Sequence, residues 1–122
     1  MSVKLAAKVR RFEARIRRMH EDVVFELTVM PGLLVGNAVE LTWIIVQNRK
    51  HGIGTSIMRA LCEFADRNAA QISLKPASKS DYAATTSRGR LVRFYRRFGF
   101  VVEKAKPAEF TIIPRMIRQP VV

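Results

Sequence analysis

The segment with the clearest chemical content runs Val46-Gln47-Asn48-Arg49-Lys50-His51-Gly52-Ile53-Gly54-Thr55. An apolar run ends at Val46, a polar stretch with two glycines follows, and a helical pattern opens at Ile53. The first N–H groups of a helix have no partners inside it, and its aligned peptide dipoles place roughly half a positive charge there. A phosphate or pyrophosphate can take those N–H groups if the backbone comes close, which glycine allows together with any positive φ. Arg49, Lys50 and His51 add donors beside such a site, and Thr55 adds a hydroxyl. The segment lacks the Gly-Lys-Ser/Thr ending of the P-loop and the third glycine of the dinucleotide fingerprint. By itself it reads in two ways: an anion site, or a strand-to-helix turn whose glycines serve tight packing.

A second run is Arg93-Phe94-Tyr95-Arg96-Arg97-Phe98-Gly99-Phe100. Leu91, Tyr95 and Phe98 share a helical face, as core residues would. A tyrosine near pKa ~10 is also a proton donor at neutral pH. The single cysteine, Cys62, lies beside the apolar face of its helix and reads as a small core hydrophobe. With only His20 and His51 besides, no metal site is expected.

The elements that must position these residues follow from periodicity. Leu5, Val9, Phe12, Ile16 and Met19 recur at 4-3-4-3 spacing, which predicts an amphipathic helix over 3–20 with a basic outer face. Val23 to Met30 is a strand by composition, and Leu33 to Val35 a short one between the turns Pro31-Gly32 and Gly36-Asn37. Val39 to Val46 reads as a strand buried on both faces. A helix over 53–69 buries Ile53, Ile57, Leu61, Phe64 and Ala65. A strand over 71–75 and a polar loop over 76–87 come next, with Ser87 as N-cap of a helix reaching Phe98. Gly99 ends that helix. Strands over 100–104 and 110–118 close the chain, Pro114 demanding an edge or a bulge. The order α-β-(β)-β-α-β-α-β-β predicts an α/β fold, a mixed sheet flanked by helices. The expected organisation is one domain over 1–122: a basic amphipathic helix at 1–22 and a core at 23–118.

Composition bounds the function. The 122 residues suffice for one real core. No apolar run is long enough for a membrane span, and the first 30 residues interleave apolar residues with arginine, unlike a signal peptide. Together with the lone cysteine this predicts a reducing, cytoplasmic setting and no membrane partner. The net charge of +12, from 22 basic and 10 acidic residues, attracts polyanions without choosing among them.

Taken together, the two runs resemble the GNAT family of N-acetyltransferases. Arg49, Gly52 and Gly54 fill its loop pattern Arg/Gln-x-x-Gly-x-Gly/Ala, which follows a strand and opens a helix. Tyr95, Gly99 and Phe100 are similar to the Tyr-x-x-x-Gly-Phe that ends a late helix. The likeness covers roughly 23–118. The short length and the ending Met116-Ile117-Arg118 look similar to small phage and mobile-element members. The resemblance implies acetyl-CoA as cofactor, with the pantetheine arm on backbone groups of Ile44, Ile45 and Val46. It implies a pyrophosphate on Arg49, Lys50, His51, Gly52, Ile53, Gly54 and Thr55. It also implies Tyr95 as the acid that protonates the departing thiolate. Where members often carry Asn seven residues before that tyrosine, this chain has Arg88, which can reach a phosphate but cannot accept hydrogen bonds.

The implied reaction moves an acetyl group to an amine: a protein lysine, a protein N-terminus or a small amine. A lysine-like amine of pKa ~10.4 must first be neutralised, at about 4–5 kcal/mol at pH 7. Glu40, at the start of the strand leading into the loop, is the candidate base, with Glu26 and Asp81 as alternatives and His51 a remote one. So basic a surface suits an acidic or nucleic-acid-associated acceptor, and a homodimer stays open. The rival readings are a basic nucleic-acid-binding module and a CoA-binding protein without turnover.

Overall fold

The computed structural model describes residues 2–30, 37–46, 52–76, 88–102 and 115–121. In order they form α1 (Ser2–Met19), β1 (Val23–Met30), β2 (Ala38–Val46), α2 (Ile53–Arg67), β3 (Gln71–Leu74), α3 (Arg88–Arg96), β4 (Val101–Val102) and β5 (Met116–Arg118). The fold is α/β. Its five-stranded mixed sheet has the order β1-β2-β3-β5-β4, with β2 and β3 parallel and the other neighbours antiparallel. The expected strand at 33–35, the 31–36 turns, the Ser87 cap, the 76–87 loop beyond Pro76 and Pro114 lie outside the described residues.

The helical stripe of α1 buries Leu5, Val9, Phe12 and Ile16 as its spacing predicts, but Met19, on the last residue of the helix, is 64% exposed. Phe12 sets the position of α1. Its ring stacks on Phe64 of α2 at 4.7 Å and meets Phe25 of β1 edge-on at 5.9 Å. Helices α1 and α2 therefore share one face of the sheet. Strand β1 alternates to match, with Val23, Phe25 and Leu27 buried and the residues between them exposed.

Strand β2 departs from the expectation of burial on both faces. Val39 and Leu41 are buried, yet Thr42, Ile44 and Ile45 are only half-buried and Trp43 is 43% exposed. The register gives the reason. Glu26 pairs with Trp43 and Leu27 with Leu41, so Thr42 is one extra residue, a β-bulge. The bulge keeps Ile44 on the helix-covered side with Leu41 and turns Trp43 to the opposite face, across from exposed Glu26 and diagonal to exposed Val24. The Thr42 hydroxyl shares a hydrogen bond of 2.7 Å with Thr28.

Strand β1 carries one free edge. There the side chains of α1 supply what a further strand would. Glu13 accepts the Leu27 N–H at 2.8 Å, Arg17 donates to the Phe25 carbonyl at 2.9 Å, and the two side chains form an i,i+4 pair at 3.9 Å. Among the described residues no helix is long and apolar enough to cross a membrane.

Candidate functional site

Helix α2 begins at Gly52, whose φ of 66° and ψ of 22° lie in the left-handed region. Its carbonyl accepts the Ser56 N–H at 3.0 Å, which starts the helical ladder. Among the described residues no side chain caps this end, and the first turn holds no acidic residue. The amides of Ile53, Gly54 and Thr55 thus have no acceptor inside the helix. Gly52 stands in open space, with nothing within 4 Å of where a Cβ would lie. Such an end accepts an anion on geometric and electrostatic grounds. Arg49, Lys50 and His51, expected beside it, lie outside the described residues.

The strand leading in has a matching property. Its ladder with β3 covers only Ala38, Val39 and Glu40. Beyond Glu40, among the described residues, β2 pairs with β1 alone. The peptide groups of Phe25 and Leu27 point away from β2, as their bonds to Arg17 and Glu13 show. By alternation Val24 and Glu26 address β2, and their partners Ile45 and Trp43 address β1. Ile44 and Val46 are left with peptide groups on the open side. Of the three residues expected to offer backbone groups, Ile45 is thus the one engaged by the ladder.

Topology brings a third part to the same end of the sheet. Strands β3 and β4 both run antiparallel to β5 and hence along β2. Helix α3 leaves the end at which β3 and β2 finish, so Arg88 starts on the side where Gly52 opens α2. Open α/β sheets bind ligands at that end of their parallel strands. Tyr95 lies about two turns further on, roughly 10 Å along α3. It is 7% exposed, in the same core cluster as Ile57 and Met58 of α2, and meets Phe94 and Phe100 edge-on at 5.3 and 5.8 Å. Burial pushes its pKa up to about 12.

Glu40 sits where β2 leaves β3, opposite Thr28 on one side and Ser73 on the other. Its carboxylate is 3.7 Å from the Arg115 guanidinium and partly open to solvent. Glu26 is exposed on β1, and Asp81 lies outside the described residues. Burial pushes the Cys62 thiol up, against a smaller opposite effect of Arg118, so it stays protonated. Among the described residues no group of three or more His, Cys, Asp or Glu could hold a metal ion.

One polar centre escaped the sequence reading. Arg118, buried at the end of β5, donates two hydrogen bonds to Asp66 of α2, at 2.8 and 3.1 Å, and one to the Phe98 carbonyl at 2.7 Å. Asp66 also accepts the Val121 N–H at 2.9 Å. The pair holds the Asp66 carboxyl below the usual carboxylate range, mainly through the hydrogen bonds from Arg118. Its only sequence signal was an arginine at a strand end, which normally reads as solvated.

The structure defines a small α/β protein whose helix α2 opens at Gly52 with no side-chain cap among the described residues. Neither protein-family models nor curated proteins give a match to this sequence.

Proposed function

We propose that this protein is a GNAT-type enzyme that binds acetyl-CoA at the β2–α2 junction and transfers the acetyl group to an amine. The observation that carries the reading is the coincidence, in one stretch of chain, of two backbone surfaces with no partner among the described residues. The edge of β2 beyond Glu40 offers the peptide groups of Ile44 and Val46, and the uncapped start of α2 offers the amides of Ile53, Gly54 and Thr55. An extended amide-bearing arm ending in a pyrophosphate matches that pairing, the arm adding to the strand edge and the phosphates resting on the helix. Arg49, Lys50, His51 and Arg88 would supply positive charge around those phosphates.

When bound, the thioester supplies an activated acetyl group. The amine nitrogen bonds to the acetyl carbon, the carbon–sulfur bond breaks, and the amine gives up a proton while the sulfur gains one. Tyr95 keeps its proton through neutral pH, because its pKa is about 12, and serves as hydrogen-bond donor to the departing sulfur. Glu40, directly or through water, receives the proton of the amine. Positioning by the two backbone surfaces contributes most of the rate.

Calorimetry with CoA and with dephospho-CoA, followed by thiol release from acetyl-CoA over a panel of amines, tests this reading. Gly54→Asp places a carboxylate among the open amides and should weaken CoA binding at least tenfold. Tyr95→Phe should lower kcat and leave CoA affinity intact. Absence of CoA binding at millimolar concentration would sink the proposal. Binding without thiol release for any amine would reduce it to a CoA-binding protein.

A further inference from the structure

Between α1 and the far end of α2 lies a groove of about 600 Å³, lined by Lys8, Arg11, Arg15, Arg18 and Arg67 around the edges of Phe12 and Phe64. It is about 20 Å from the Gly52 end of α2, by the length of that helix. Five cationic side chains and no carboxylate line it. On α1 the four cations recur at 3-4-3 spacing, which places them within an arc of about 80° and over about 15 Å of helix. They are exposed, and two are already held. The Arg15 guanidinium lies over the Phe12 ring at 5.4 Å, and the Lys8 ammonium donates to the Asn68 side chain at 3.1 Å. Arg17, on the other flank of α1, is spent on the β1 edge and takes no part.

We propose that this groove binds the phosphate backbone of a nucleic acid. Two features choose that occupant over an acidic protein. The floor offers no exposed apolar or aromatic anchor, because Phe12 and Phe64 are buried against each other, and protein interfaces draw most of their energy from such anchors. What the groove does offer is a regular row of cations, four of the five being arginines, whose forked donors match phosphate oxygens. A repeating row of charge without base-reading groups is the signature of sequence-independent backbone binding. The groove is separate from the β2–α2 junction and the proposal does not rest on the acyl-CoA reading.

Fluorescence anisotropy with a labelled 20-nucleotide single strand, and with the duplex of the same sequence, over a salt series provides the test. The logarithm of affinity should fall with the logarithm of salt at a slope of about −3 to −5, as five phosphate contacts require. Arg11→Glu with Arg15→Glu should weaken binding at least tenfold and lower the magnitude of the slope by about two. Arg59→Glu with Arg97→Glu makes the same charge change outside the groove and should weaken binding less than threefold. Arg11→Gln with Arg18→Gln, checked by circular dichroism melting, keeps the test decisive if the double reversal fails to fold. CoA affinity should be unchanged in all groove variants. Equal loss from both charge-reversal pairs would overturn the groove as the site. Polyglutamate of equal charge displacing the oligonucleotide at lower concentration than unlabelled DNA would overturn nucleic acid as its occupant. The relative affinities of single strand and duplex then identify which backbone the groove prefers.

Discussion

The two ends of α2 treat the same problem in opposite ways. Every helix leaves unpaired amides at its start and unpaired carbonyls at its finish. At the finish, nearly everything is satisfied. The Ala70 N–H reaches the Ala65 carbonyl at 2.8 Å and the Ala69 N–H the Asp66 carbonyl at 3.2 Å, the paired bonds of a Schellman ending. The Asn68 side chain donates to the Phe64 carbonyl, and Asn37 ties the Asn68 carbonyl to the start of β2. Asp66 locks on to Arg118. At the start there is only a glycine. The sheet repeats the contrast, since the free edge of β1 is filled by Glu13 and Arg17 while, among the described residues, the edge of β2 beyond Glu40 has no partner strand. Among the described residues, the finish of α2 and the edge of β1 thus have side-chain or backbone partners that the start of α2 and the far part of β2 lack.

The largest effect should come from breaking the closed end. Arg118→Met removes three hydrogen bonds, takes the guanidinium donor from the Phe98 carbonyl and leaves the Asp66 carboxylate with only the Val121 N–H. Because the guanidinium is buried and the carboxylate partly open, the loss should be about 2–4 kcal/mol, toward the low side of values for buried pairs. Urea unfolding measures it, and CoA affinity should survive in folded protein. A loss under about 1 kcal/mol would show that the finish of α2 is held by its backbone bonds alone.

The same pair gives a pH signature. Folding lowers the pKa of Asp66. Its contribution is therefore present above the unfolded carboxylate pKa of ~3.9 and is lost as pH falls through the lower folded value. The wild type should lose stability steeply below about pH 4. Asp66→Asn should start less stable at pH 7 and lose less over that acid range. Parallel acid profiles for the two proteins would contradict the assignment.

At the sheet edge the effect should be smaller. Glu13→Ala strips the acceptor from the Leu27 N–H and the partner from Arg17, and should cost about 1–2 kcal/mol. It also frees an edge strand, so concentration-dependent association should rise in sedimentation runs. Glu13→Gln keeps an acceptor and should restore most of both properties. If association is unchanged in Glu13→Ala, the side chains of α1 satisfy the edge without guarding it.

How much of this was legible depends on how local its cause is. The α1 stripe, the alternation of β1 and the buried face of α2 are written in spacing, because burial against one surface imposes a period. The glycine start of α2 was legible for a similar reason, since two glycines between an apolar run and a helical pattern mark a backbone that needs freedom. The bulge at Thr42 was not, because an extra residue exists only relative to the partner strand. Nor was the clamp, whose members stand 52 residues apart. Nor was the role of Glu13 and Arg17, whose place at the β1 edge depends on how α1 packs.

The finest test exchanges the conformational solutions at the two ends of α2. Both ends need a residue at positive φ, Gly52 at 66° and Ala69 at 49°. At Gly52 the glycine answers that need, and Gly52→Ala should destabilise the protein by about 1 kcal/mol through backbone strain alone, since open space surrounds the position. At Ala69 the chain carries a Cβ where a Schellman ending favours glycine. Ala69→Gly relieves the left-handed strain but adds freedom to the unfolded chain, so the net gain should be only about 0.5 kcal/mol. Thermal melts of the two single variants should therefore move in opposite directions. The double variant should equal their sum, because the sites lie at opposite ends of a helix about 20 Å long and share no partner. If Ala69→Gly lowers the melting temperature instead, the bonds of the closed end, and not the conformation of Ala69, already set the cost of that turn.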